Sequence, residues 1–332
     1  MNSLYQWVSH SVLGALPAGG DTCAHKVLAR RVVKRGDGEI EEKVPLVISF
    51  QLGLLHATWL GQHIARTSLL RWYLRWTSVN LGVKYDSPDS RAMIPRFIEE
   101  YGVDTSEIEG SINNYRSLNE FFARRLRPEA RLIHTPGDAR HAVQPADARL
   151  HVFESAGEAT RIWVKGEGFT VGKLVGRQLA KRLDLDGCSL VISRLAPQDY
   201  HRFHSPVSGT LRSFEGAGSE LYSVKPVAVR SSIDVFGENK RLVVEIDSEA
   251  FGSVVYVIIA AVQVGSITMT TKEGQRVSKG QELGYFSYGG STVITVFQRG
   301  AIKYDADLQA NSRKATETLV HMGSSLGAAA GR

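Results

Sequence analysis

The hydrophobic period of this chain changes near residue 140, and that change limits the architectures open to it. Residues 45 to about 127 place their apolar side chains at helical spacing. Beyond about 140 the apolar residues come in short β-branched runs: Leu190-Val191-Ile192, Leu242-Val243-Val244-Glu245-Ile246 and Val254-Val255-Tyr256-Val257-Ile258-Ile259. Gly187, Gly209, Gly216, Gly218, Gly252, Gly274 and Gly280 punctuate them. Short runs between turn-formers spell strands. The pattern predicts an α+β fold, with an N-terminal helical cap followed by an antiparallel β barrel or sandwich. One helical insert is expected near Val171 to Leu183, and helix again from Asp305 to Met322.

Three segments follow from this reading, before a flexible tail at 326–332. Residues 1–44, with Arg30, Arg31, Lys34 and Arg35 and then Gly36-Asp37-Gly38, read as a loosely ordered, solvated arm. Residues 45–130 form a helical, membrane-associating region, and residues 131–325 the β domain. Within the helical region, Leu69, Trp72, Tyr73 and Trp76 fall on one face, and Arg71 and Arg75 on the opposite side. Such a face suits the headgroup level of a bilayer; it equally suits a helix packed on the main domain with its arginines in water. Ser117 and Glu120 make a capping-box pattern at the start of a further helix.

With 332 residues, 43% of them hydrophobic, the chain has material for a substantial core. Its two cysteines, Cys23 and Cys188, exclude a disulfide framework and match no zinc spacing. A net charge of +6 suits an anionic membrane surface, and no nucleic-acid-binding signature accompanies it. Met1 to Gly20 lack the basic region of a cleavable signal peptide. The apolar stretch from Pro45 to Leu60 contains Gln51 and His56 and falls short of the about 20 apolar residues a spanning helix needs. A peripheral place on the membrane is therefore expected.

The chemistry-bearing residues lie in the β half. Ser291 follows Gly289-Gly290 and precedes the strand-like Thr292-Val293-Ile294-Thr295-Val296. A serine hydroxyl is a weak nucleophile that needs a neighbouring base, and Gly290 leaves its carbonyl open to approach. His201 and His204 offer two imidazoles beside Pro206. A metal is not expected there, because no third ligand cluster accompanies them. Asp147, in Pro145-Ala146-Asp147, is a turn residue or the carboxylate that orients an imidazole.

These residues stand in a series of motifs that together resemble the phosphatidylserine decarboxylase family. The series covers roughly residues 85 to 325. It includes Ser117-Leu118-Asn119-Glu120-Phe121-Phe122-Ala123-Arg124-Arg125-Leu126, Pro145-Ala146-Asp147, Trp163-Val164-Lys165-Gly166, Pro197 through Pro206, Leu221-Tyr222-Ser223-Val224, Lys279 through Phe286 and Gly289-Gly290-Ser291-Thr292. Ala148 stands where many bacterial members have glycine, and Gly-Gly-Ser-Thr where many read Leu-Gly-Ser-Thr; both resemble the longer, type II branch. That branch often carries a calcium-dependent lipid-binding module, for which no room is expected here.

The resemblance implies a self-processing enzyme that converts phosphatidylserine to phosphatidylethanolamine and carbon dioxide. Cleavage between Gly290 and Ser291 would give a β chain (1–290) and an α chain (from 291), with Ser291 becoming a covalent pyruvoyl cofactor. It implies that His204, oriented by Asp147, activates Ser291, and that His201 assists decarboxylation. It also implies phosphatidylserine in membranes as partner, and a homodimer. Two other functions stay open at this point: a pyruvoyl-dependent decarboxylase of a free aromatic amino acid, and a non-catalytic β-sandwich relative.

Overall fold

Consecutive residues of the central strands point into different cores. Leu190, Ile192, Val255, Val257, Ile259, Ile294 and Val296 belong to one buried cluster. Val191, Val254, Tyr256, Ile258, Val293 and Phe297 belong to another. A strand alternates its side chains between two faces, so a continuous apolar run is what a sheet covered on both sides requires. The computed structural model describes residues 27–36, 38–45, 54–56, 58–263 and 266–331.

The strands in chain order are β1 (Val27–Lys34), β2 (Gly38–Pro45), β3 (His141–Val143), β4 (Ala148–Phe153), β5 (Ser189–Leu195), β6 (Arg202–His204), β7 (Gly209–Ala217) and β8 (Arg241–Ser248). They continue with β9 (Gly252–Gln263), β10 (Ile267–Met269), β11 (Arg276–Val277), β12 (Glu282–Phe286), β13 (Gly289–Phe297), β14 (Ile302–Tyr304), β15 (Thr318–Val320) and β16 (Ser325–Ala329). Ten of them form one sheet in the order β11-β7-β8-β9-β13-β5-β4-β15-β1-β2. Two three-stranded sheets, β10-β12-β6 and β14-β16-β3, complete the β structure. Their Phe203, Leu283, Phe286, Tyr304 and Leu326 fill the core on one face of the large sheet. Short helical segments carrying Ala159, Leu174, Leu179 and Ala228 fill the other.

The architecture is thus α+β, with helices toward the N-terminus, but no sheet closes into a barrel. The solvated arm expected over residues 1–44 gives way, in its described part, to the β1–β2 hairpin, whose β1 pairs in parallel with β15. Arg35 joins Asp305 and Asp307 across that edge, which gives the arginine a place other than water. The expected helix at 305–322 is Ala306–Arg313 followed by β15, and the expected tail from 326 lies in β16. Pairing with distant strands decides these segments, and local pattern does not reveal it. The insert near 171–183 is two helices, Val171–Val175 and Arg177–Arg182, broken at Gly176 with φ +88°. Cys23 lies outside the described residues; Cys188 is a buried free thiol.

Before β3 come α1 (Trp59–Ala65), α2 (Ser68–Asp86), α3 (Ile94–Tyr101) and α4 (Leu118–Phe122). Ser117 caps α4 by accepting from the Glu120 amide. Tyr85, Phe97, Leu118, Phe121 and Phe122 form a third cluster, which also takes in Tyr288. The helical region is therefore packed on the segment leading into β13. Helix α2 is inverted relative to a common surface helix. Leu69 (75% exposed), Trp72 (60%), Val79 (67%) and Val83 (71%) face outward. Leu74, Thr77 and Ser78 face inward, and Arg75 and Arg71 reach the buried Glu220 at 2.5 and 3.7 Å. Of the two readings of this helix, the arginines sit against the protein and the aromatic face does not.

Candidate active site

Ser291 lies in β13, near the middle of the ten-stranded sheet, paired with Ala260 of β9 and Leu195 of β5. The register with β9 slips between Gly289 and Ser291, where β9 carries one extra residue, Ala261-Val262 standing against Gly290 alone. Bulges re-aim neighbouring groups and interrupt the ladder. A side chain at Gly290 would meet the Ala261 Cβ at 3.0 Å and Val224 Cγ2 at 3.5 Å, so the close approach of these backbones favours glycine. Ser291 is fully buried, and its hydroxyl has no hydrogen-bond partner. An orphaned buried hydroxyl is costly, and Thr292 and Thr295 of the same strand share that condition.

Leu195 ends β5 beside Ser291, and the loop after it carries His201 and leads into β6, whose last residue is His204. Asp199 turns the loop by accepting from the Ala196 amide at 2.7 Å, while Arg149 from β4 ion-pairs with the same carboxylate. His201 is buried, stacked on Phe122 with ring centroids 3.8 Å apart. Its Nδ1 faces the Asp199 carbonyl at 2.9 Å, and its Nε2 has no partner. A carbonyl can only accept, so Nδ1 carries the hydrogen and Nε2 presents its lone pair. Burial pushes this imidazole down to about 3, and the cations Arg124 and Arg149 act in the same direction. It is neutral at physiological pH.

His204 has the same tautomer for the same reason. Its Nδ1 donates to the Gly280 carbonyl at 2.9 Å, and its Nε2 accepts from the Tyr200 hydroxyl at 3.3 Å. Burial lowers its basicity too. Gly280 has φ +75°, and a Cβ there would meet Ile133 Cδ1 at 2.3 Å, so only glycine delivers this carbonyl.

Asp147 does not orient His204. Its carboxylate accepts from Arg131 Nε at 2.9 Å and from the Met322 amide at 2.7 Å, with His321 Nδ1 at 3.6 Å. Burial alone would raise this carboxyl, but His321 and Arg131 outweigh it and hold it well below the ordinary range. The Gly280 carbonyl fills the orienting place expected of Asp147. Physically, the Arg131 guanidinium, itself also bound to Glu107 at 2.8 Å, is the stronger claimant on a buried carboxylate.

Leu195, the partner of Ser291 in β5, begins the segment that leads to His201 and His204, and no hydrogen bond joins Ser291 to either imidazole. Arg131, His321, Tyr200 and Gly280 were missed from sequence. Tyr200 stands in the same run as the histidines and could have been found there; Arg131 and His321 carry no local signal. Among the described residues, no group of His, Cys, Asp and Glu could hold a metal ion.

A family model described as phosphatidylserine decarboxylase matches residues 118–328. The chain is 41% identical over 330 residues to phosphatidylserine decarboxylase proenzyme 2 of Oryza sativa subsp. japonica, covering 98% of this chain and 52% of that protein. It is 42% identical over 290 residues to proenzyme 2 of Komagataella phaffii, covering 87% and 28% respectively. Against the phosphatidylserine decarboxylase proenzyme of Chlamydia felis it is 38% identical over 291 residues, covering 88% and 93%. The chain thus spans only 28% and 52% of the two longer relatives but nearly all of the bacterial one.

Proposed function

Since the chain belongs to the phosphatidylserine decarboxylase family, we propose that it is a self-processing proenzyme whose mature form decarboxylates phosphatidylserine to phosphatidylethanolamine. The observation that carries this reading is the buried, unpartnered Ser291 hydroxyl next to Gly290, opposite a bulge in β9, within the matched residues. The relatives' names favour it over a free-amino-acid decarboxylase.

In the proposed maturation, Nε2 of His204 exchanges the Tyr200 hydroxyl for that of Ser291 and takes its proton. The oxygen attacks the Gly290 carbonyl carbon and the peptide nitrogen departs, leaving an ester. Removal of the Ser291 α-proton then breaks the Cβ–O bond and frees the Gly290 carboxylate. Hydration of the resulting dehydroalanine releases ammonia and leaves a pyruvoyl group at position 291.

The residues present fit such a group: the hydroxyl it would derive from is orphaned, and burial keeps the imidazoles of His201 and His204 neutral. The pyruvoyl ketone would supply an electron sink for the carbanion left by carbon dioxide. His201, with its Nε2 lone pair free, would hold or deliver a proton at the reacting carbon. Phe122 and Tyr288, 5.0 Å apart, would keep bulk water from that end of the site.

The outward face of α2 supports a lipid substrate. Trp72 and Trp76 stack with centroids 6.3 Å apart on an apolar stripe that no described residue covers. Indoles suit the interface of a bilayer, and the net charge of +6 suits an anionic one. Among the described residues no helix is long and apolar enough to cross a membrane, so the stripe would lie on the surface.

The test is intact mass under denaturing conditions, before and after borohydride, together with carbon dioxide release from phosphatidylserine vesicles. Two chains split before Ser291, a reducible carbonyl on the second, and release of carbon dioxide are expected. A chain that stays whole, or a split chain inert toward the lipid, overturns the reading.

A further inference from the structure

Among the described residues, Arg124 is a buried cation near His201 whose charge no carboxylate takes up directly. It follows α4 and is 3% exposed, whereas its neighbours Arg125 and Arg127 lie in water. The anionic-surface role that an arginine cluster suggests therefore does not extend to it. Its Nη2 donates to the carbonyls of Gln198 (2.7 Å) and Asp199 (3.1 Å). Its Nε and Nη1 have no hydrogen-bond partner. The nearby carboxylates are committed elsewhere: Asp199 to Arg149, and Asp147 to Arg131. Burial without a paired anion lowers the guanidinium's basicity, with Asp199 and Asp147 opposing only through space.

A guanidinium is a fixed five-donor fork, and leaving three of its N–H groups without acceptors in a buried place is expensive. The cost falls next to the reacting groups. Arg124 Nη2 and His201 Nδ1 share the Asp199 carbonyl. Phe122, two residues earlier, stacks on His201, and the Ala123 carbonyl holds Arg202 Nε at 2.9 Å, just after it.

We propose that Arg124, whose guanidinium lies over the Phe121 ring, is the headgroup-anion residue of the site, its unpartnered Nε and Nη1 receiving the phosphodiester of the phospholipid substrate. The inference rests on the proposed phosphatidylserine reading and adds to it the group that recognises the lipid's permanent charge. The substrate offers two anions, a carboxylate and a phosphodiester. An arginine on the carboxylate would stabilise the charge that must leave as neutral carbon dioxide, and so would oppose the reaction. On the phosphodiester it binds substrate and transition state alike, which lowers KM and leaves kcat unchanged. The planar fork also matches phosphate oxygens in pairs.

The test compares wild type, Arg124→Lys and Arg124→Gln on two substrates. One is a short-chain phosphatidylserine in mixed micelles; the other is an O-alkyl serine ether with the same amine and carboxylate but no phosphate. Cleavage before position 291 is followed by mass in each sample. For Arg124→Gln, KM for the phospholipid is expected to rise on the order of tenfold or more at unchanged kcat. Arg124→Lys should fall between, and the ether's kinetics should not move. Equal losses on both substrates would assign the guanidinium to the carboxylate, and a fall in kcat alone would place it in the chemistry; either overturns the proposal. Failure of both variants to mature would put Arg124 in folding or processing, which overturns it too. A wild type that matures yet ignores the phospholipid sinks the proposed function itself, and the headgroup assignment with it.

Discussion

Strand β13 and helix α2 depart from the usual partition of polar and apolar groups in opposite directions. In β13, the hydroxyls of Ser291, Thr292 and Thr295 are buried without hydrogen-bond partners. In α2, Leu69, Trp72, Trp76, Val79 and Val83 lie in water at spacings of three and four residues. Each departure costs stability where it stands. A sheet buried on both faces can carry an unpartnered hydroxyl because its neighbours supply ample apolar burial. A helix can leave a stripe uncovered because its other side is fixed by Glu220 and by the Tyr85 cluster. Each cost marks a place where a covalent step or a lipid surface would complete what the folded chain leaves open.

The largest effect that probes this contrast is at the buried end. Ser291→Ala should abolish chain cleavage and lipid decarboxylation while melting at or above the temperature of the uncleaved wild-type precursor, since it removes an unsatisfied hydroxyl. A melting temperature lowered by the equivalent of about 1 kcal/mol or more would mean the hydroxyl has a partner, and would break the comparison. His204→Gln should slow cleavage by about 10²- to 10⁴-fold, read as the half-time of the precursor band.

Stability should then separate the two regions. Ile294→Ala, in a packed core, is expected to cost about 2–5 kcal/mol in urea unfolding. Val79→Ala, on the exposed stripe, should stay within about 0.5 kcal/mol. Equal losses would show that the stripe is covered in solution. Replacing Trp72 and Trp76 together by serine should weaken vesicle flotation on the order of tenfold, with turnover of dispersed short-chain substrate unchanged.

The smallest effect is on acid stability. His201 is held neutral by burial, pushed down to about 3 from an ordinary 6.5. Between those values the unfolded chain binds the extra proton, so stability falls as pH drops from about 6.5 toward 3. His201→Gln should therefore flatten the acid limb and move the unfolding midpoint to lower pH by some tenths of a unit, about what one residue among several buried groups can contribute. Asp147 acts in the same direction only further down: its folded value is depressed, so its contribution is lost below the ordinary carboxylate range.

Much of this was legible residue by residue. The apolar runs 190–192, 242–246 and 254–259 are strands, and Ser117 caps α4. Ser291 stands near the start of a strand, and of the two histidines His201 precedes β6 and His204 ends it. What was not legible depends on partners far along the chain. Asp147 meets Arg131 and His321 rather than His204, and β1 joins the sheet through β15. Alternating apolar positions also say that a strand is buried, not whether its sheet closes.

The sequence alone determined the central apolar strands, the capped helix at Ser117 and which residue types could carry chemistry, because period, turn chemistry and side-chain reactivity are local properties. Only the tertiary structure decided that no sheet closes among the described residues, that Arg71 and Arg75 of α2 reach across to Glu220, and that the Gly280 carbonyl sets the tautomer of His204. Those outcomes depend on which distant group wins each buried donor, acceptor and apolar face, a competition among all the chain's surfaces at once.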